Sequence, residues 1–362
     1  MNRVPPFLEA LTGRLAPGCD PEVVLATFAS ASGGYAGPRG RDGRRVTAIT
    51  PSGVPFEASV TGGAGRAAAA VRYVTETATG MPFFGPRLAA QRRALDDLVG
   101  RLPAPARAGG DELRAAPDVF FPDPGAVPAR TRFATTFGVV HRPEVPDAPA
   151  GLKLYGNLRT EPAGAGGGRR VGDAALGRLA ARWPAFLALR EVVGDLSFLA
   201  PHFATIEVDA RGGIGHKVYL RTGRANAAAL TVLARRCGAT LAPLADELAA
   251  AGVAPEVWAR GVFVCCHHAG AGSPRGAGGS PGPEVSVHLP ARALGLDPAG
   301  MAAFARRMVT GHGDGPAHDA LVAAVDRAGG PAAWTTTVVG VGLAAGGLGK
   351  VNVYVAPTAT GR

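Results

Sequence analysis

Lysine is almost missing from this 362-residue sequence. Only three of the 38 basic residues are lysine, namely Lys153, Lys217 and Lys350, and the other 35 are arginine. The frequent alanine, glycine, proline and arginine are typical of GC-rich coding, which favours arginine without any physical need. The basic residues are scattered, so the formal net charge of +10 does not indicate a nucleic-acid partner. A local pocket for a small anion explains the lysines better.

Cysteine and long apolar segments are also scarce, and each absence excludes a class of protein. Four cysteines in a chain of this length make no disulfide framework. No apolar run reaches the roughly 18 residues that a membrane helix needs. The start, MNRVPPFLEALTGRLAPG, has two prolines and an acid where a signal peptide is apolar. We therefore predict a cytoplasmic protein without a membrane partner.

Motifs for binding phosphate and metal are absent as well. The chain has no GxxxxGK[ST] loop and no DDxxD-like cluster that would hold Mg²⁺ against a diphosphate. The stretch FVCCHHAG joins Cys265 and Cys266 to His267 and His268, but adjacent strand residues point to opposite faces. At most two of these four side chains could share an ion, whereas zinc takes about four ligands. No metal site is predicted.

The chain does contain a repeat of strand pairs separated by amphipathic helical stretches. The second strands follow at a nearly constant spacing: Lys153 to Lys217 is 64 residues, Lys217 to Ser286 is 69, and Ser286 to Asn352 is 66. This period indicates a unit of two antiparallel strands plus helices that occurs about five times. We expect one domain over residues 1–362, with residues 1–45 as an N-terminal helical segment packed on it.

The second strands alternate between apolar and polar residues. Leu152 and Leu154 alternate with Lys153 and Tyr155, and HKVYL, VSVHL and VNVYV repeat the pattern. Because strand side chains alternate between faces, each unit has an apolar row and a polar row, here called the inner row. Stacked sandwich layers need two apolar faces, and a half-exposed sheet leaves too little apolar surface for the helices. A ten-stranded barrel with helices outside and the inner row around a cavity meets both demands.

Cations of the inner row predict an anion site. They are Arg72, Lys153, Lys217 and Lys350. Without acids nearby, these charges would repel one another unless a strongly charged ligand neutralised them. Diphosphate fits, since arginine makes paired contacts with its oxygens and lysine supplies a point charge.

Tyr155, Tyr219 and Tyr354 suggest a second role for the cavity. An aromatic ring stabilises a passing carbocation and excludes water from it, so they could shield an allylic cation as diphosphate leaves. The alternative is that each only packs its strand.

Glu57, in SGVPFEASV, is the acid that we single out: facing a basic cavity it is expected to stay ionised, to hold an N–H group and to accept a proton. Its alternative is a solvated carboxylate at a strand edge.

The motifs GVPFEASV, VRYVTE, KLYG, KVYL and KVNVYVAP, in this order over nearly the whole chain, resemble the aromatic prenyltransferases of the dimethylallyltryptophan synthase family, compact bacterial type. The resemblance implies an α+β fold, the αββα barrel, with ten antiparallel strands around a central reaction chamber and helices outside. It also implies alkylation of an indole by an allylic diphosphate, typically dimethylallyl diphosphate, without metal or other cofactor.

The resemblance assigns roles to individual residues. Glu57 matches the carboxylate that holds the indole N–H. Three positions match diphosphate ligands (Arg72, Lys153 and Lys217), and three match the tyrosine shield (Tyr155, Tyr219 and Tyr354).

Several positions depart from the family pattern. Gly215 stands where the family often has another arginine, and Lys350 is expected to replace the lost charge. Ser286 and His288 stand where Lys or Gln and Tyr are common, and His288 is expected to join the shield. Val140 falls where some members carry a lysine proposed to rearomatise the ring, so His141 or Glu57 is expected to be the base.

The expected substrates are small molecules, dimethylallyl diphosphate and tryptophan or a tryptophan derivative, acted on by a monomer or homodimer. Two alternatives stay open at this point. One is prenylation of a phenolic or other aromatic acceptor in the same barrel. The other is a non-catalytic barrel that binds an anionic lipid or polyphosphate, for which a carboxylate at position 57 would have no use.

Overall fold

The computed structural model describes residues 3–33, 47, 49–63, 70–81, 83–128, 131, 134–159, 167–223, 227–269, 283–312 and 315–358. In this part of the chain, ten strands close into one barrel. The strands are β1 (Phe56–Gly63), β2 (Val71–Thr75), β3 (Thr135–His141), β4 (Gly151–Asn157), β5 (Leu199–Asp209), β6 (Ile214–Thr222), β7 (Phe263–Ala269), β8 (Glu284–Pro290), β9 (Trp334–Ala344) and β10 (Gly347–Pro357).

Helices follow each of the first four strand pairs and precede the first. Within the described residues they are α1 (Val4–Leu15), α2 (Pro21–Ser32), α3 (Phe84–Gly100), α4 (Ala104–Phe120), α5 (Gly167–Arg182), α6 (Ala185–Val193), α7 (Ala227–Arg236), α8 (Ala242–Ala250), a 3₁₀ turn (Pro255–Ala259), α9 (Ala291–Leu294), α10 (Pro298–His312) and α11 (Gly315–Arg327). None of the helices in these ranges is long and apolar enough to cross a membrane.

All ten strand pairs of the barrel are antiparallel: every strand pairs with its neighbours in sequence, and β1 pairs with β10. Each strand after β1 thus needs only a short reversal or a helical connection on the outside. The predicted αββα barrel with five strand pairs is confirmed. Two Gly-rich stretches of the sequence, residues 160–166 after β4 and residues 270–282 after β7, lie outside the described residues.

The apolar rows of the strands face outward under the helices. Leu152, Leu154, Val218 and Leu220 alternate with polar residues, and their side chains are at most 1% exposed. Close approach of the helices needs small residues: a Cβ on Gly156 of β4 would lie 2.4 Å from the ring of Phe120, which ends α4. The hydrophobic core therefore lies between barrel and helices, which leaves the barrel axis to polar groups.

Aromatic packing attaches α1 and α2 to the barrel. Phe7 of α1 stacks on Trp334 of β9 with ring centroids 4.2 Å apart, and Phe28 of α2 meets Phe56 and Tyr73 edge-on at 5.4 and 5.7 Å. Edge-to-face and offset pairs of this kind stabilise beyond the area that they bury. The described part of the expected N-terminal helical segment thus packs on β1, β2 and β9; residues 34–45 lie outside the described ranges.

Candidate active site

Inner-row side chains from all around the barrel surround its axis, and we call the space between them the chamber. Cross-strand partners share a face, so the register shows which residues enter it. Lys153 of β4 is paired with Gly138 and Glu207, and Lys217 of β6 with Thr205 and His267. The structure therefore brings the predicted cations into one cavity.

An acid that the sequence analysis missed lies between two of these cations. Glu207 of β5 places Oε2 2.7 Å from Lys153 Nζ and 2.9 Å from Lys217 Nζ, while its Oε1 is 3.3 Å from His267 Nε2. Glu284 extends the network, 3.6 Å from His267 and 3.7 Å from Lys350. The expectation of cations without nearby acids is thus wrong. The alternation in HFATIEVDA places Glu207 on the inner face, and inspecting the first strand of each pair would have found it.

Burial and mutual contact set the protonation of this cluster. Burial lowers the pKa of Lys153 to about 8. The negative charge of Glu207 opposes this shift, and the positive charge of Lys217 adds to it. For Lys217 burial also opposes the charge, yet Glu207 raises its pKa above the usual value. Burial alone would raise the pKa of Glu207, but the two lysines hold it well below its ordinary range. The carboxylate is therefore ionised and shared by both ammonium groups.

Arg72 is positioned by a chain of hydrogen bonds across the closure of the barrel. Its Nη1 donates to Thr61 Oγ1, and Thr61 donates to Asn352 Oδ1. Burial, with the nearby charge of Arg142, lowers the pKa of Arg72 to about 10, so the guanidinium remains charged at neutral pH. Burial, with the charge of Lys217, lowers the pKa of Lys350 as well.

Aromatic rings form a continuous arc along the chamber wall. Tyr155 and Tyr219 have centroids 5.9 Å apart, Tyr219 and His288 5.6 Å, and His288 and Tyr354 5.9 Å. Nε2 of His288 also forms a hydrogen bond with Ser286 Oγ at 3.2 Å. Burial lowers the pKa of His288 to about 3, so its ring is neutral. The residues expected to form the shield are thus neighbours in space.

Glycines in the adjacent strands leave room for these rings, because they have no side chain. A Cβ on Gly340 would lie 3.1 Å from Nδ1 of His288 and 3.4 Å from the ring of Tyr354. A Cβ on Gly138 would lie 3.1 Å from the ring of Tyr155. Glycine inside a strand weakens it, and a close approach by another group is the usual reason for its presence. Here the rings occupy the space that a side chain at these two positions would need.

Glu57 of β1 faces the chamber, one inner-row position away from Ser59, the partner of Arg72. Thr337 Oγ1 donates a hydrogen bond to Glu57 Oε1. Burial raises the pKa of Glu57 to about 7, although the Thr337 hydrogen bond lowers it. The expectation that Glu57 stays fully ionised is therefore wrong: desolvation outweighs the distant cations, and the carboxyl titrates near neutral pH.

His141 does not reach the chamber. It is paired with Val71 on the outer face, where its ring stacks on Tyr73 at 6.0 Å and is 1% exposed. Burial lowers its pKa to about 4. The alternative that His141 is the rearomatising base is thus corrected, because Val140, the partner of Arg72, takes the inner position. Of the two candidates, Glu57 remains.

The CCHH stretch divides between the two faces, as predicted from strand alternation. Cys265 and His267 are paired with Tyr219 and Lys217 in the inner row, whereas Cys266 faces outward. Within the described ranges, no group of three or more His, Cys, Asp or Glu side chains could hold a metal ion.

Solved structures share this fold over almost the whole chain. The 5-dimethylallyltryptophan synthase from Streptomyces coelicolor has a TM-score of 0.74 at 19% identity, covering 99% of this chain and 98% of its own. The 6-dimethylallyltryptophan synthase from Micromonospora olivasterospora, in complex with DMASPP and Trp, has a TM-score of 0.70 at 19% identity, with 98% and 96% covered.

The prenyltransferase PriB, in a ternary complex with L-tryptophan and dimethylallyl thiolodiphosphate, gives 0.67 at 18% identity, with 98% and 95% covered. No family profile matches the sequence, and no curated protein has significant sequence similarity to it. At this level of identity the similarity establishes the fold, the αββα prenyltransferase barrel, and it agrees with the resemblance read from the sequence.

Proposed function

We propose that the protein is an aromatic prenyltransferase that transfers the dimethylallyl group of dimethylallyl diphosphate to the indole of tryptophan or a tryptophan derivative. One observation carries the proposal: a single chamber combines a cluster of cations, an arc of aromatic rings and a carboxyl group. An anion-binding barrel needs only the first of these. Solved structures with this fold bind tryptophan together with a thiolodiphosphate, which supports the same pairing of substrates.

In this proposal the cation cluster holds the diphosphate. Arg72, Lys153, Lys217 and Lys350 neutralise the charge that grows on the leaving group as the C–O bond breaks and its electron pair departs with the diphosphate oxygen. Preorganised charges in a buried site stabilise such a transition state more strongly than water does. The side chains supply this charge themselves, so the reaction is proposed to proceed without a metal ion.

The aromatic arc then shields the allylic cation. Ring faces attract a cation through their quadrupole, and rings with centroids 5.6–5.9 Å apart line one side of the chamber with aromatic surface. The uncharged state of His288 suits this role, because a protonated imidazole would repel the cation. Water would otherwise convert the cation to an alcohol and waste the substrate.

Glu57 is proposed to orient the acceptor. Its ionised carboxylate accepts a hydrogen bond from the indole N–H, which enriches the ring in electron density as a ring carbon forms the new C–C bond. The proton lost from that carbon restores aromaticity, and Glu57 is the remaining candidate to take it. We further propose that the enzyme works in the cytoplasm on these small molecules, as a monomer or homodimer.

The test is product formation from dimethylallyl diphosphate and L-tryptophan in the presence of EDTA, followed by mass spectrometry. The expected product is tryptophan plus one dimethylallyl group in place of one hydrogen. Transfer only to a phenolic acceptor would replace the indole assignment. Tight diphosphate binding with no transfer to any indole or phenol would leave only the anion-binding alternative.

A further inference from the structure

We propose that Glu207 is an internal counterion that occupies the cation cluster in the free protein and is exchanged for diphosphate when substrate binds. The inference rests on the proposed function, because it takes diphosphate as the ligand of this cluster. It adds a residue that opposes substrate binding and promotes release of the diphosphate product.

The geometry shows how completely Glu207 engages the lysines. One oxygen, Oε2, lies within 2.9 Å of both ammonium nitrogens, and the side chain is only 20% exposed. Its charge also acts on Arg72 and Lys350, whose pKa values it pulls upward against burial. A carboxylate placed in this way offers the charge and the oxygen acceptors that a diphosphate would offer.

The strand opposite Glu207 is shaped to admit this side chain. Gly215 is its cross-strand partner, and a Cβ at that position would lie 2.8 Å from Glu207 Cγ and Oε1. The carboxylate thus lies over bare backbone. An arginine at position 215 and Glu207 in its present rotamer exclude each other.

Diphosphate cannot bind beside an unmoved Glu207 without strong repulsion. Like charges a few ångströms apart in a buried site repel each other more strongly than in water, because the effective dielectric there is lower. When Glu207 is released from the lysines, it can keep its contact with His267, whose Nε2 is 3.3 Å from Glu207 Oε1. His267 lies between Glu207 and Glu284, so a carboxylate released from the lysines keeps a polar partner in the inner row.

Counterion exchange has a functional consequence. In the empty chamber Glu207 keeps two buried lysines charged and in place, since an unpaired buried charge is costly. When the allylic group has been transferred, the carboxylate competes with the product diphosphate for the same ammonium groups. Glu207 is thus a positioning residue for the lysines and a competitor for the ligand.

Calorimetric titration with inorganic diphosphate and with dimethylallyl thiolodiphosphate separates these roles. Glu207→Gln keeps the shape and removes the charge, and we expect its Kd for both ligands to be about tenfold lower than that of the wild type. Gly215→Ala places a methyl group against Glu207 and pushes it from the lysines, and we expect Kd to fall about threefold. Glu284→Gln is the matched control. Glu284 is 58% exposed and lies 3.6 Å from His267 and 3.7 Å from Lys350, so we expect its replacement to change Kd less than twofold.

Each outcome decides the matter. If the wild type binds diphosphate and Glu207→Gln binds it equally or more weakly, Glu207 only positions the lysines and the exchange is refuted. Should Glu207→Gln fail to fold, an unchanged or higher Kd for Gly215→Ala refutes it instead. If neither the wild type nor these variants bind either ligand, the proposed function fails, and this inference fails with it.

Discussion

Thr337 donates a hydrogen bond to Glu57 across the strand that separates them, because β10 lies between β9 and β1 in the barrel. A register shift between β9 and β10 beside Tyr354 makes Thr337 an extra residue, and its hydroxyl also lies 3.3 Å from the Tyr354 carbonyl oxygen. Bulges of this kind re-aim side chains next to functional sites. The bulge thus aims a hydrogen-bond donor at a buried carboxyl group.

Replacing Glu57 by glutamine should lower turnover about 100-fold or more, because the neutral amide neither attracts the indole N–H as strongly nor accepts a proton. Diphosphate affinity should change less than twofold, because Glu57 makes no contact with the cation cluster. Steady-state kinetics with tryptophan and a separate diphosphate titration check both parts. Lost diphosphate binding with retained turnover would contradict the assignment.

The pH dependence of kcat/KM should be bell-shaped with a maximum between about pH 7 and 8. Below pH 7 Glu57 takes up a proton and loses its ability to accept a hydrogen bond, since its pKa is about 7. Above pH 8 Lys153 loses its charge, since its pKa is about 8. In the free enzyme these two groups set the limbs of the profile.

Thr337→Val separates the limbs of that profile. The hydrogen bond from Thr337 lowers the pKa of Glu57, so its removal raises that pKa and moves the acidic limb to higher pH. The alkaline limb should stay in place, because Thr337 has no contact with Lys153. A pH profile of the variant in which only the alkaline limb moved would show that Glu57 does not control the acidic one.

The lysines should differ in their effect on diphosphate binding. Lys153→Gln should weaken it about 30-fold or more, because Lys153 is 25% exposed and lies deep in the cluster. Lys350→Gln should weaken it about threefold, because its side chain is 36% exposed and water screens its charge. Titration of both variants with inorganic diphosphate measures the difference, and equal losses would place Lys350 as deeply in the site as Lys153.

Removing a ring from the middle of the aromatic arc should let water reach the allylic cation. Tyr219→Leu removes the ring that contacts both Tyr155 and His288, so the fraction of dimethylallyl diphosphate that becomes alcohol should rise at least severalfold relative to transfer. The ratio of prenyl alcohol to prenylated product, measured by chromatography, reports this directly.

Tyr73→Phe is the matched control for that variant. Tyr73 is 1% exposed in the outer layer, and its hydroxyl has no hydrogen-bond partner among the described residues. Its loss should leave the alcohol ratio unchanged and should not destabilise the fold, because a buried hydroxyl without a partner costs free energy. An equal rise in alcohol for both variants would mean that general loosening, rather than the arc, admits water.

Glu76 should make the fold less stable in alkali. This acid, at the end of β2, is fully buried against Thr47, Gln91 and Arg87, and burial raises its pKa to about 8. A folded-state pKa above the unfolded value means that its stabilising contribution is present below pH 4.5 and is lost as pH rises through 8. Between pH 5 and 9 the free energy of unfolding of the wild type should therefore fall by about 1–3 kcal/mol more than that of Glu76→Gln, measured in urea.

Sequence alone determined the barrel and the cations. The period near 66 residues and the strict alternation in LKLYG, HKVYL and VNVYV follow from local geometry, since a strand has a period of two residues wherever it lies. These patterns are sufficient to place Lys153, Lys217, Tyr155 and Tyr219 on one face. The same rule, applied to β3, excludes His141 from that face once the register with Arg72 is known.

Tertiary structure alone decided which charges meet and in what state. Glu207 and Lys217 come from adjacent strands of one hairpin, but the closeness of both to Lys153 depends on the pairing of β5 with β4 and on its register. The pKa of Glu57 depends on how much water the chamber excludes, and the donor Thr337 comes from 280 residues away. The two-residue period of a strand determines which face a side chain points to. The partners of that side chain and its burial depend on other strands, which can be distant in the sequence.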